Sequence, residues 1–179
     1  MTLSNAEAAL LGLLAEKPRH PYEIEKEVEL RAMRQWTELS MSSIYKLLRN
    51  LEKSGAVTSH AEISDNNRAR RIYRLTEAGM ALLQDKLRQL LREPEYPKWR
   101  IDIATSNIAL LPKAEALACL QEYRVNLQKA EQCYRDLADY LTCAGCPGYR
   151  QSLAQRPIHL ILAELAWIDE FTAQLEETP

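Results

Sequence analysis

Residues 40–55 run Ser-Met-Ser-Ser-Ile-Tyr-Lys-Leu-Leu-Arg-Asn-Leu-Glu-Lys-Ser-Gly. Ile44, Leu47, Leu48 and Leu51 recur at helical spacing and mark a face to be buried. Ser40, Ser42, Ser43, Tyr45, Lys46 and Arg49 fall mostly on the other side, toward the start of the helix. Small donors, a phenol and cations together suit a DNA groove. Small residues allow close approach, and Lys and Arg neutralise phosphate charge. Ser40 is placed to cap the helix, leaving its positive end free to face a phosphate. Gly55 is the expected stop.

Beyond that stop, Val57 to Ile63 is strand-like and Ser64–Asp65–Asn66–Asn67 is a cluster of turn formers. A second strand returns from about Arg70 to Leu75. Arg68, Arg70, Arg71 and Arg74 stud the tip and the returning arm, placed to reach a minor groove or phosphates. Upstream, Ser4 and Glu7 have capping-box spacing and open a first helix through Leu10, Leu11, Leu13 and Leu14. Lys17 to His20 breaks it, with His20 read as a turn residue. Pro21 sits at the favoured first position of a second helix, expected to run to about Gln35, with Trp36 packed in the core behind it. Thr76 opens a fourth helix that ends near Arg92. Helix–turn–helix followed by a hairpin predicts a winged helix over residues 1–92.

These pieces together resemble the PadR family of bacterial transcriptional regulators. The matching segments are His-Pro-Tyr-Glu-Ile at 20–24, Trp36, the run 42–55, and Arg-Ile-Tyr-Arg-Leu-Thr-Glu-Ala-Gly at 71–79, in order across roughly 75 residues. Met41–Ser42 departs from the pattern, since many relatives carry glycine near the start of this helix. The resemblance implies a homodimer, and the length of the remaining chain is similar to members with a full helical dimerisation domain. It also implies that a small aromatic effector can bind near the junction of the two parts, where Tyr96 and Trp99 stand; packing is the plainer role for Trp99.

Composition agrees. The chain has 179 residues, 46% of them hydrophobic, enough for one or two small cores. Net charge is −2, but between Arg31 and Arg74 nine Lys/Arg face four Asp/Glu, whereas from Glu93 onward eight basic residues meet thirteen acidic ones. A basic patch on an acidic protein steers DNA to one face. No apolar run reaches the ~20 residues of a membrane span and no signal peptide is evident, so no membrane association and a cytoplasmic location are expected.

Glu93-Pro-Glu-Tyr-Pro reads as a linker, taken as residues 93–98, because two prolines in five residues forbid a continuous helix. Residues 99–179 read as all-helical: one helix from Arg100 to Leu110, a long one from Pro112 to about Leu141, and a last one from Gln151 or Pro157 to Glu176. These helices are expected to join two copies, because they are more apolar than one copy can cover. The fold class is thus mainly α, a winged helix-turn-helix plus a helical dimerisation domain.

Cys143-Ala-Gly-Cys146 forms a CxxC, and only Cys133 and His159 are available to complete a metal site. Incidental reduced cysteines are the plainer reading, with no metal and no cofactor; a redox-responsive regulator using Cys143 and Cys146 is an alternative. No nucleophile–base pairing or glycine-rich phosphate loop is evident, and five glycines leave little room for one, so no catalytic residue is expected. The expected function is a sequence-specific DNA-binding regulator, a repressor that binds a palindromic operator as a homodimer and is released by a small effector. A winged-helix module that binds an acidic protein partner is the other alternative.

Overall fold

The computed structural model describes residues 2–63 and 69–177. The chain forms two compact units, Met1–Tyr96 and Pro97–Pro179. The first unit opens with α1 (Asn5–Glu16), α2 (Pro21–Leu30) and α3 (Met41–Lys53). An antiparallel hairpin of β1 (Val57–Ile63) and β2 (Ala69–Leu75) follows, then α4 (Glu77–Arg92). This is a winged helix. Ser64 to Arg68, and with them the predicted turn, lie outside the described residues.

Its core is built from the periodic residues of the three helices. Leu10 and Leu11 of α1, Ile24 and Val28 of α2, and Ile44, Leu48 and Leu51 of α3 are all fully buried. Burying a Leu or Ile side chain contributes about 1.5–3 kcal/mol, so this cluster holds the three helices together. Ser4 and Glu7 form the predicted capping box on α1. At Gly79 of α4 a Cβ would stand 2.0 Å from the Ala56 carbonyl oxygen, so glycine alone allows α4 to seat against the start of β1.

Two expectations for the first unit fail together. The second helix ends at Leu30, not Gln35, because Ala32 enters the left-handed region (φ 47°) and a single 3-10 turn, Met33–Gln35, follows. That turn points Met33 inward. With Leu39 it occupies the core between α2 and α3, and Trp36 is left 51% exposed rather than packed. At the other end of the unit Leu91 of α4 is almost wholly exposed.

The second unit comprises α5 (Ile101–Ser106), α6 (Lys113–Cys143) and α7 (Gly148–Glu177). The helix expected over Arg100–Leu110 is shorter, because Asn107 leaves helical geometry (φ −121°) and only a 3-10 turn, Ile108–Leu110, continues. The last helix begins earlier than predicted, at Gly148, with the Pro147 carbonyl accepting from the Arg150 and Gln151 amides. Pro157 therefore lies inside α7, where it forgoes one backbone hydrogen bond without ending the helix.

Helices α6 and α7 pair antiparallel. Lys113 Nζ donates to the Glu176 carbonyl (2.8 Å), Tyr123 to Glu164 (3.0 Å) and Arg124 to Asp169 (2.7 Å). A Schellman turn joins them. Gly145 (φ 65°) donates to the Thr142 carbonyl and Cys146 to that of Leu141, both at 3.0 Å. Among the described residues of this hairpin only Ala116, Leu120, Ala154 and Ile168 are buried, while Leu137, Tyr140, Tyr149, Leu153, Leu160 and Leu162 are exposed.

Candidate nucleic-acid interface

The first turn of α3 is closed by its own serines. Ser40 Oγ accepts from the Ser43 amide at 3.2 Å, and the Ser40 amide donates to Ser43 Oγ at 2.7 Å. Ser43 Oγ donates in turn to the Ser40 carbonyl at 2.8 Å. Two of the three serine hydroxyls proposed from the sequence to meet DNA are thus engaged in a reciprocal cap, with Ser42 Oγ 3.2 Å from Ser40 Oγ. Ser40 and Ser42 are exposed and Ser43 is half-buried.

One turn on, Tyr45, Lys46 and Arg49 are exposed, opposite the buried Ile44, Leu48 and Leu51. Tyr45 is 45% exposed, so its phenol is not held in the core. Among the described residues Arg49 Nε reaches the Tyr45 carbonyl, at 3.4 Å. Among the described residues neither Lys46 nor Arg49 joins an ion pair. Two unneutralised cations one turn apart on an exposed helix face form a phosphate-sized positive surface.

The wing arginines separate into two groups. Strand alternation places Arg70 and Arg74 on one face, with Arg71, Tyr73 and Leu75 on the other. Tyr73 is buried, so the second face is turned to the core. Arg71 sits at its outer end, 3.7 Å from Glu52 of α3 and over the Tyr73 ring. Glu52 also accepts from Ser59 of β1 at 2.5 Å. Arg71 therefore couples wing to helix, whereas Arg70 and Arg74 are exposed, Arg70 opposite Glu62 in the register. Arg68 lies outside the described residues.

Arg19, which the sequence offered only as part of a helix break, is a structural centre. It is 3% exposed, pairs with Glu16 (2.7 Å) and Glu27 (2.9 Å), and donates through Nε to the Leu13 carbonyl (3.1 Å). Its backbone exchanges two hydrogen bonds with Tyr73, adding a one-residue strand beside β2. Arg31 closes the cluster onto Glu16 and Glu27 at 2.6 Å each. Burial alone would raise the Glu27 pKa, but the charges of Arg31 and Arg19 and their hydrogen bonds outweigh it and hold the carboxyl below its ordinary value. Hydrogen bonding to Glu16 raises Arg31 against the opposing effect of burial. No periodicity or motif marks such a cluster in advance. His20 caps α2, its Nδ1 accepting from the Tyr22 amide at 3.1 Å. The sequence reading also left out Tyr22, exposed beside Lys26, whose Nζ lies 4.9 Å from the ring centroid.

Tyr96 and Trp99, the candidate effector residues, are 88% and 51% exposed, so Trp99 is not packed in a core. All four cysteines are free thiols; Cys143 is exposed and Cys146 half-buried. Among the described residues no cluster of His, Cys, Asp or Glu could hold a metal ion, and no helix is long and apolar enough to cross a membrane.

Residues 10–85 match the family model described as the transcriptional regulator PadR-like family. A protein of unassigned function from Lysinibacillus sphaericus is 27% identical over 84 residues, 46% of this chain and 75% of the relative. Among solved structures, Bacillus subtilis PadR in complex with operator DNA superposes with a TM-score of 0.76 at 20% identity, over 94% of this chain and 98% of that one. The same protein with p-coumaric acid gives 0.75 at 19% identity, over 96% and 98%. The Vibrio cholerae virulence activator AphA gives 0.68 at 18% identity, over 98% and 100%.

Proposed function

The chain carries a PadR-like domain over residues 10–85, and from that premise we propose that it is a sequence-specific DNA-binding transcriptional regulator. The observation that carries the reading is the exposed face of α3, where Lys46 and Arg49 have no carboxylate partner among the described residues. In a helix-turn-helix the start of the second helix meets base edges, so Ser42 and Tyr45 face bases while Lys46, Arg49 and the wing arginines Arg70 and Arg74 meet phosphates. Arg68 is assigned to phosphate on its place in the sequence alone. Ser40 and Ser43 serve by shaping the helix start, and Arg71 by fixing the wing to it.

The protein acts as a homodimer joined through its C-terminal helices and reads a palindromic operator. Support comes from the α6–α7 hairpin, which leaves Leu137, Tyr140, Leu153, Leu160 and Leu162 exposed. Apolar surface on that scale marks an interaction site. Two copies related by a two-fold axis match two half-sites. Repression follows by occlusion of a promoter. A small aromatic effector, of the kind bound to the Bacillus protein, releases the DNA, with Tyr96 and Trp99 as its candidate contacts.

Selection of the purified protein on random duplex DNA at two salt concentrations tests the reading. Enrichment of a two-fold symmetric sequence is expected. Recovery of DNA without a motif, lost on a modest rise in salt, would instead favour a basic surface for an acidic protein partner.

A further inference from the structure

The connection between α2 and α3 holds an incompletely satisfied buried charge. Glu25 is 6% exposed, and one of its oxygens receives Arg34 Nη2. The other, Oε2, is buried with no hydrogen-bond partner among the described residues. The same guanidinium donates through Nε to the Leu39 carbonyl at 3.2 Å, and its Nη1 lies 3.9 Å from Glu29. Arg34 thus ties α2 to the residue immediately ahead of the Ser40 cap. The chain between them turns through Ala32 in the left-handed region and one 3-10 turn, so it has little regular structure to fix its path.

A carboxylate buried with one oxygen unmet, paired to a guanidinium that is 41% exposed, is a poor source of stability, because the desolvation of Glu25 offsets much of the attraction. Its value lies in geometry. A planar guanidinium that bonds a carboxylate and a carbonyl at once permits one arrangement of the two helices.

We propose that Glu25 and Arg34 form a specificity-determining clasp: the pair sets the position of the first turn of α3 on α2, and so which base edges Ser42 and Tyr45 reach. The proposal rests on the DNA-binding reading above. Base contacts demand placement within about 0.5 Å, whereas phosphate contacts made by long cations tolerate more. Loosening the clasp therefore lowers discrimination between sequences more than it lowers the salt-dependent part of the affinity.

The test uses the full chain with Arg34→Lys, which keeps the charge and loses the fork, and with the near-isosteric Glu25→Gln in case the first variant does not fold. Amide hydrogen exchange without DNA is read at Ser43 and Ile44. Binding is then measured to the selected duplex and to random duplex across a salt series. The expected result is exchange faster at those two amides by on the order of tenfold, with the Leu10 and Leu11 amides unchanged. The ratio of specific to random affinity falls about tenfold for each base pair whose contact is lost, at an unchanged salt slope. Unaltered exchange at Ser43 and Ile44, or a ratio that stays at the wild-type value, overturns the clasp. A wild type that selects no sequence removes the specificity claim together with the DNA reading, and the exchange arm then judges the positioning by itself.

Discussion

Replacing Lys46 and Arg49 together with alanine removes two α3 cations that no described carboxylate neutralises, and the structure sets the size of the loss. Each phosphate neutralised on duplex DNA contributes about 0.9 to the slope of log K against log salt. On the proposed reading of a dimer in which each of these cations meets one phosphate, two in each of two subunits reduce the slope by about 3.6. Carried from 1 M to about 0.15 M salt, that is roughly three decades of affinity, or about 4 kcal/mol. Both side chains are exposed, so stability changes by no more than about 0.5 kcal/mol and the fold is retained. Arg71→Ala is the internal control. Its charge is met by Glu52 at 3.7 Å, so its slope change stays below about 1 for the dimer. Anisotropy titrations of a labelled duplex from about 50 to 200 mM salt, with circular dichroism to verify folding, provide both numbers. A double variant whose slope equals the wild type's, or an Arg71→Ala variant that loses as much as the double one, refutes the assignment.

The remaining predictions concern the scaffold and its assembly. Gly79→Ala forces a Cβ to 2.0 Å from the Ala56 oxygen, which already accepts from the Thr76 amide (3.1 Å) and hydroxyl (3.0 Å). Overpacking of about 1–3 kcal/mol or more exceeds the roughly 1 kcal/mol gained in helix propensity, so urea denaturation should detect a net loss; an equal or more stable variant would mean that α4 shifts freely. The Glu27 carboxyl lies below its ordinary value of 4.5, so its stabilisation is present above that pH and lost as pH falls through the depressed value. Glu27→Gln should accordingly flatten the acid limb of the thermal midpoint, and an acid limb as steep as the wild type's would contradict the pairing. Tyr123 is pushed from 10 up to about 12 by burial and by the Glu164 carboxylate. Its contribution is present below pH 10 and lost as pH rises through about 12, so Tyr123→Phe should weaken the alkaline dependence of stability. Sedimentation should find the full chain dimeric, and a monomer at micromolar concentration would remove the C-terminal dimer.

What the sequence made legible was local. The helix over 41–53, its Ser40 cap, the hairpin strands and the Thr76 cap of α4 each depend on residues within a few positions of one another, so periodicity and capping rules reach them. The end of α2 was hidden because Ala32 carries no mark of a left-handed conformation; glycine or asparagine at that position would have given one. Trp36 followed that error, since after the early helix end it is Met33 that enters the core and Trp36 is left exposed. Pro157 was read, beside Gln151, as one of two candidate starts, yet the helix around it is long enough to forgo one hydrogen bond. Arg19 was out of reach for another reason. Its partners come from α1, α2 and the backbone of β2, and only the assembled fold brings them to one side chain.

The serine-rich start of α3 changes meaning once its bonds are known. As residue types, Ser40, Ser42 and Ser43 are three candidate readers. As structure, Ser40 and Ser43 satisfy each other and the first free amides of the helix, so their hydroxyls are committed before any DNA arrives. On the DNA-binding reading, direct contact at the front of the helix then falls to Ser42 and to its neighbour Met41, which is 40% exposed. This is the point at which the sequence departs from the PadR pattern that it otherwise resembles. A thioether chain there has no hydrogen-bond donor and suits the one apolar feature of the major groove, the thymine methyl group. On the same reading, polar readout moves one turn further on, to Tyr45. On that reading, base preference would be set by an apolar residue and a hydroxyl at the helix start, held to Glu25 of α2 through Arg34, while affinity would be supplied by Lys46 and Arg49, which join no ion pair among the described residues.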